Sequence, residues 1–137
     1  MHTNTDITIY NAYTVNRKTK YKRTVIKNVM WQGDKVVSVT DNGLHSEDVA
    51  YVLIPFSSLN EKYTGNIEFD KSEQKENIFT LRRADIICNG VVEKELTDDY
   101  RVPDLKKEYD EVYSLKTYSV NDFCKSESMK HFELVVI

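Results

Sequence analysis

The chain has 137 residues, of which 40% are apolar and 30% are charged, and its formal net charge is −3. This length suffices for one domain whose core needs neither a metal nor disulfide bonds, and the composition is typical of a soluble globular protein. No apolar run approaches the roughly 20 residues that span a bilayer. The polar first residues argue against a secretory signal peptide, so we expect a soluble protein made in a cytoplasm, with Cys88 and Cys124 as reduced thiols.

The charge is distributed unevenly along the chain. Residues 1–35 contain seven Lys or Arg and two acidic residues, a net charge of +5, whereas the other 102 residues contain 12 basic and 20 acidic side chains, a net charge of −8. A basic surface over the whole domain, as duplex DNA would require, is therefore not supported. The asymmetry is compatible with head-to-tail contacts between copies, and equally with ordinary solvated surface charge.

The first half of the chain is predicted to form an antiparallel meander. Alternation of Ile7 and Ile9 with polar residues indicates a strand over residues 6–13, followed by a basic hairpin tip at 16–20. The second strand begins near Tyr21, and its adjacent apolar residues indicate either a bulge or a strand covered on both faces.

Turn residues divide the rest of this half. Gly33-Asp34 predicts a two-residue hairpin loop, and Asp41-Asn-Gly43 predicts a second turn. The strand that follows is expected to end at Pro55, which lacks an N–H.

The second half is predicted to contain one long loop and one helix. Residues 57–77 are polar and are expected to form a long, poorly ordered loop with a brief strand at 66–69. Asn89-Gly90 predicts a hairpin with 91–96 as its return strand. Apolar residues at helical spacing around Pro103 predict a short helix over 103–111. Further strands are expected at 78–81, 85–88, 116–120 and 131–137, with a polar connection at 121–130.

These elements together predict the fold class. We expect an all-β domain over residues 1–137, mostly an antiparallel barrel or sandwich, with one short helix and the long polar loop at 57–77.

Catalytic and metal-binding patterns are weak. His2, His45 and His131 lack metal-ligand spacing to one another or to cysteine, and the glycine-rich phosphate loops are absent. A nucleophile pair of Cys88 or Cys124 with His131 stays open at this point. We expect no enzymatic activity, no cofactor and no metal.

Aromatic residues close to the basic cluster suggest one alternative function. Tyr10, Tyr13, Tyr21 and Trp31 could stack on the bases of single-stranded nucleic acid beside the basic residues, as in a nucleic-acid-binding β-barrel. We favour the simpler interpretation, in which these side chains belong to the sheet core and its rim.

Several motifs in order give the chain a family resemblance. They begin with Asp6-Ile-Thr-Ile-Tyr-Asn11 and continue through residues 23–31, 41–48, 52–55, 81–90 and 126–132. The chain thereby resembles a family of short proteins from tailed phages and prophages of Gram-positive bacteria. Its members are encoded among head–tail morphogenesis genes and labelled minor capsid or head–tail connector proteins.

The resemblance implies a structural role in the virion, at the head–tail interface. It suggests a head-closure (stopper) ring: a homo-oligomer that contacts portal or adaptor proteins and tail-terminator proteins, with DNA in its lumen and no membrane partner. Small β-barrels with a protruding loop are typical of such rings, and residues 57–77 are the expected protrusion. The expected interface residues, from that loop and the basic segment, are Arg17, Lys18, Lys20, Lys22, Arg23, Lys62, Tyr63 and Phe69.

Overall fold

The computed structural model of the protein describes residues 3–40, 43–121 and 130–137, and for residues 34–40 and 43–48 it describes the backbone alone. The predicted turn residues Asp41 and Asn42, and most of the predicted connection at 121–130 with Cys124, lie outside the described residues. So do residues 126–129 of the last family motif.

The described chain is mostly β structure. In chain order its elements are β1 (Thr5–Val15), β2 (Lys18–Thr40), β3 (Gly43–Pro55), a 3-10 turn (Phe56–Ser58), β4 (Lys62–Tyr63), α1 (Asn66–Lys71), β5 (Ile78–Phe79), β6 (Ile86–Asn89), α2 (Val102–Glu108), β7 (Val112–Asn121) and β8 (His131–Val136).

Six of the strands close into a barrel in the order β1-β2-β3-β8-β7-β6, and β6 pairs back onto β1. Every neighbouring pair in the barrel is antiparallel. The short strands β4 and β5 form a separate parallel pair. The predicted all-β fold is thus confirmed.

The barrel interior is filled by alternating strand positions. In β8, Phe132, Leu134 and Val136 are buried while Glu133 is exposed, as expected for a strand with one face toward the core. β1 does not show this alternation between buried and exposed residues, because residues 7–11 are all buried. One face of β1 lines the barrel, and the other is covered by residues 91–109, so both sets of side chains avoid water.

A second cluster of buried side chains lies between β1 and this covering segment. Tyr10 packs there with Cys88, Leu96 and Leu105 of α2. The predicted helix at 103–111 is therefore real, with Pro103 in its first turn. It ends at Glu108, and Val112 belongs to β7.

The prediction of a hairpin at Gly33-Asp34 was wrong. β2 continues through both residues to Thr40, and each residue from Met30 to Thr40 has a partner in β3, ending with Thr40 opposite Gly43. The chain therefore does not reverse at Gly33-Asp34. The Asp-Asn-Gly sequence at 41–43 is the stronger turn former, and continuous cross-strand pairing overrides the weaker signal.

The hairpin predicted at Asn89-Gly90 is also wrong. Gly90 does have a positive φ of 98°, but residues 91–97 form no strand. β6 already pairs with β1 on one side and β7 on the other, so no edge is free for a return strand. The segment instead crosses the outside of β1, where the Val92 N–H donates to Thr8 Oγ1 at 2.9 Å.

The segment 57–77 is folded onto the barrel and is not a simple loop. It contains β4 and α1, and the strand predicted at 66–69 is the helix α1. Phe69 on this helix is fully buried. An ion pair also holds α1 in place, because Arg82 Nη2 lies 2.8 Å from Asp70 Oδ1 on this helix. Burial of one large aromatic side chain holds the segment in place despite its many charges.

A bulge, one of the two alternatives predicted for the second strand, is present. Thr5 pairs with Val29 but Ile7 pairs with Ile26, so β2 has one extra residue at this point. Asn28 takes the left-handed conformation, with φ of 62°. Its N–H donates to Asp6 Oδ1 at 3.0 Å, and its carbonyl accepts from Ser58 Oγ at 2.7 Å.

Substitutions at Asn28 should report this backbone strain. We expect Asn28→Ala to lower the free energy of unfolding by about 1 kcal/mol, because alanine pays the left-handed penalty that asparagine tolerates. Asn28→Gly should stay within about 0.5 kcal/mol of wild type. Urea unfolding followed by tryptophan fluorescence measures both, and equal losses for the two variants would contradict the assignment.

Candidate interaction surface

A basic hairpin turn joins β1 to β2. Asn16 and Arg17 both have positive φ angles, 51° and 66°, which define a two-residue turn of the kind that matches strand twist. Arg17, Lys18 and Lys20 are exposed there, and we call these three residues the basic tip. In the described part of the chain, no carboxylate forms an ion pair with any of them.

The next two predicted interface residues are used inside the molecule. Lys22 pairs with Glu61, and its side chain is only 11% exposed. The Arg23 Nε–H donates to the carbonyl of Val92. Both cations thus stabilise the packing of neighbouring segments on the barrel. Because each already interacts within the chain, neither is fully available to a partner protein.

The predicted interface residues of segment 57–77 separate into two kinds. Lys62 is exposed. Tyr63 packs against the rings of Phe79 and Phe132, at centroid distances of 5.7 and 4.9 Å, and Phe69 is fully buried. Phe69 therefore cannot contact a partner in the folded chain, and that part of the prediction is wrong. The hydrophobic effect places these rings in the core.

The aromatic residues considered for base stacking are largely engaged within the barrel. Tyr10 is fully buried, its hydroxyl donates to the carbonyl of Lys94 at 2.6 Å, and burial raises the pKa of this phenol. Tyr13 meets Phe69 edge-on at 6.2 Å, and Trp31 packs on Tyr113 at 5.3 Å.

Cys88 and His131 do not form a nucleophile pair. Cys88 lies opposite Val112 at the start of β7, whereas His131 lies opposite Asn121 at its end, so about 30 Å of strand separates them. Burial also raises the pKa of the Cys88 thiol to about 12, which keeps it protonated and unreactive. Within the described residues there is also no cluster of three or more metal-ligating side chains.

A groove lies beside the basic tip. It has a volume of about 730 Å³ and runs between the β1–β2 hairpin and the segment that leads into α2. Its walls are mostly apolar, and Lys20, Glu95, Asp98 and Arg101 line it with charge. We call it the tip groove. A second depression of about 630 Å³ adjoins it and shares Tyr13, Lys20, Tyr21 and Glu95. The apolar residues that line the tip groove are Tyr13, Tyr21, Leu96, Val102 and Pro103.

The opposite end of β2 leaves the barrel as a two-stranded ribbon. β1 pairs with β2 only as far as Val29, and β8 pairs with β3 only from Ala50. Residues 34–40 and 43–49 therefore pair only with each other among the described strands. We call residues 34–40 and 43–49 the ribbon. It extends roughly 20–25 Å from the barrel at about 3.4 Å per residue.

The ribbon is the feature that the sequence-based prediction missed. Reading Gly33-Asp34 as a turn split β2 into two short strands and hid the length of the ribbon. The β-branched run Val36-Val37 and Val39 beyond Gly33 was the available signal, because it continues the strand pattern up to the Asp41-Asn-Gly43 turn.

A comparison with protein-family models identifies the family of this chain. It belongs to a family of unknown function, DUF6751, whose model matches residues 2–135. No curated protein and no solved structure is significantly similar to it. No helix within the described ranges is both long and apolar enough to cross a membrane.

Proposed function

We propose that this protein is a structural component of a phage particle, most simply a head-closure ring subunit at the head–tail interface. In this role it acts through protein–protein contacts, with copies of itself and with portal, adaptor and tail-terminator proteins. DNA passes through the lumen of the ring, and no chemical reaction is catalysed.

One observation carries the proposal: a closed barrel from which a long two-stranded ribbon extends. A closed barrel has no free edges and makes a rigid wall. Among the described strands the ribbon has no partner along either of its outer edges, so it is suited to contacts outside its own chain. The protruding element is thus the ribbon, in place of segment 57–77.

Charge placement adds support. The basic tip and the ribbon lie at opposite ends of β2, and a ring needs two different, complementary surfaces on each subunit. The separation of Cys88 from His131 further supports a structural role over an enzyme in which these two residues form a nucleophile pair.

Inactivation of the gene in its phage or prophage tests the proposal. We expect induced lysates to contain heads that have lost their DNA and free tails that are not joined to them, since head closure retains the packaged DNA and precedes tail attachment. Negative-stain electron microscopy measures this, and the wild-type gene supplied in trans should restore joined, infectious particles. Normal tailed particles from the inactivated gene would contradict the proposed function.

A further inference from the structure

We propose that the basic tip binds the phosphate backbone of duplex DNA without reading its sequence. The inference deepens the proposed function and rests on it in one respect, because a ring with DNA in its lumen would turn this hairpin toward the lumen. The evidence is the extension of the hairpin, its charge, and a strained arginine at its turn.

The basic tip lies at the end of a hairpin that runs past its neighbouring strand. β1 pairs with β6 only from Ile7 to Tyr10, and beyond Tyr10 it pairs with β2 alone among the described strands. The turn at Asn16 and Arg17 therefore lies roughly 17 Å of strand beyond the last pair with β6. The turn is exposed, and a two-stranded hairpin is narrow enough to enter the major groove of DNA.

The charges of this hairpin have one sign. Residues 7–33 contain six Lys or Arg and no Asp or Glu. Lys18 and Lys20 are two residues apart on β2, so they point to the same side of the strand at a separation of roughly 7 Å. No carboxylate of the described residues forms an ion pair with either of them or with Arg17. Phosphates can therefore approach these cations without displacing a partner, and binding releases the counterions that DNA holds.

Carboxylates close to the hairpin confine the contact to its end. Lys20 lines both the tip groove and the adjoining depression, whereas Arg17 and Lys18 line neither of them. The acidic residues of these two depressions thus compete with phosphate near Lys20 alone. They are Asp70, Glu73, Glu76, Glu95 and Asp98. A contact of this small size agrees with the net charge of −3, which does not support a basic surface over the whole domain.

Arg17 occupies a backbone position that favours glycine. Its φ of 66° is left-handed, and there the Cβ of an ordinary residue crowds the following carbonyl oxygen. Asn-Gly is a preferred pair for a two-residue hairpin turn, and Asn16 already supplies the first residue of that pair. A charged side chain held at a strained position motivates a functional interpretation. Here the guanidinium lies at the end of the hairpin, where it would meet a polyanion first.

Duplex DNA suits these cations better than an acidic protein does. Two of the three are lysines, whose ammonium is a compact point charge on a flexible stem, whereas the planar fork of arginine is what fits a carboxylate in a fixed geometry. Tyr13 and Trp31 pack within the molecule, so they are not available to stack on bases. Contacts to phosphate alone let a protein slide along DNA, as the passage of DNA through a ring requires.

Fluorescence anisotropy with the purified full chain and a short labelled duplex of mixed sequence tests the inference. We expect binding at about 20 mM salt, where the charges are screened least. The logarithm of the association constant should fall with the logarithm of the salt concentration. Its slope should be at least as steep as about −2.7, the value for three neutralised phosphates.

Two triple variants with the same change in net charge locate the contact. The tip variant, with Arg17→Gln, Lys18→Gln and Lys20→Gln, should bind at least about tenfold more weakly at low salt and lose about 2.7 of the slope. The control variant removes three exposed cations away from the tip and should bind like wild type. Its substitutions are Lys106→Gln, Lys107→Gln and Lys116→Gln. Circular dichroism checks that both variants are folded.

Arg17→Gly separates DNA binding from stability. Glycine relieves the left-handed strain at this position, so the variant should unfold at a higher urea concentration than wild type. It should nevertheless bind DNA more weakly, with the slope reduced by about 0.9 for the one lost cation. An arginine with a purely structural role would not show weaker binding in a more stable variant.

The outcomes distinguish this inference from its alternatives. A wild-type chain that does not bind the duplex at low salt would overturn it and would leave an acidic protein surface as the partner of the tip. Equal losses in the two triple variants would also overturn it, as would tighter binding to a single strand of the same length, which indicates base stacking. Tip-dependent DNA binding together with normal tailed particles after gene inactivation would contradict the proposed function alone. Heads without DNA and unattached tails, together with a purified chain that does not bind DNA, would contradict the inference alone.

Discussion

A Phe69→Ala variant is expected to lose about 3–5 kcal/mol of unfolding free energy. The side chain is fully buried, and it packs edge-on against Tyr13 with Lys75 over its ring. Truncation would leave a cavity between α1 and the barrel that the surrounding strands cannot fill. Urea unfolding at neutral pH, followed by tryptophan fluorescence, measures the loss.

Ile67→Ala is the matched control for this change. Ile67 lies on the same short helix two residues away but is 73% exposed, so its truncation should change stability by no more than about 0.5 kcal/mol. Both substitutions raise helix propensity similarly, which leaves burial as the difference. If Phe69→Ala lowers the unfolding free energy by less than about 1 kcal/mol, segment 57–77 contributes little to stability, as expected for the loop that the sequence predicted. The larger loss would show instead that the packing of this segment stabilises the folded barrel.

The second large effect should come from acidification. Asp85 is 1% exposed, and it joins β1 to the turn before β6. Its Oδ2 accepts from Asn11 Nδ2 at 2.8 Å and its Oδ1 from the Ala12 N–H at 3.1 Å. Burial raises the pKa of this carboxyl to about 6, although these donors and nearby Arg82 act in the opposite direction.

The raised pKa determines the direction of the pH effect. The ordinary pKa is 3.8, so the folded state binds this proton more tightly than the unfolded state. The contribution of Asp85 to stability is therefore full below about pH 3.8 and is lost as the pH rises through about 6. Between pH 7.5 and 4.5 the wild type should gain about 2 kcal/mol from this group.

Asp85→Asn isolates that contribution, because asparagine has no proton to bind in this range. As the pH falls from 7.5 to 4.5, the unfolding free energy of wild type should rise by about 2 kcal/mol relative to that of Asp85→Asn. Asp110→Asn, at an exposed position, should show no such shift. A wild-type minus Asp85→Asn difference that stays flat with pH would contradict the raised pKa.

Much of the barrel was predictable because its signals are local. The alternation of Ile7 and Ile9 predicted β1, and Pro103 with Leu105 predicted α2. The adjacent apolar residues of β2 indicated either a bulge or a strand covered on both faces, and the bulge is present. These patterns reflect the two-residue period of strands and the 3.6-residue period of helices. The missing N–H of Pro55 likewise marked the end of β3, which runs to that residue.

The failures share a physical cause. Gly33-Asp34 and Asn89-Gly90 both permit a turn, but whether a turn forms depends on which strands are present to pair. β3 holds β2 straight through Gly33, and β1 and β7 occupy both edges of β6. Phe69 was assigned to a surface loop because its neighbours are charged. Nothing in the local sequence shows that the barrel provides a site for its ring.

The candidate surface divides in the same way. The sequence alone determined an all-β chain with a basic N-terminal segment and an acidic remainder, since composition and periodicity are properties of neighbouring residues. Only the tertiary structure decided which of the N-terminal cations have an ion-pair or hydrogen-bond partner among the described residues. It engaged Lys22 and Arg23 within the molecule, left Arg17, Lys18 and Lys20 exposed, and placed the ribbon at the far end of β2. Those outcomes depend on contacts between residues far apart in the chain, which no local pattern specifies.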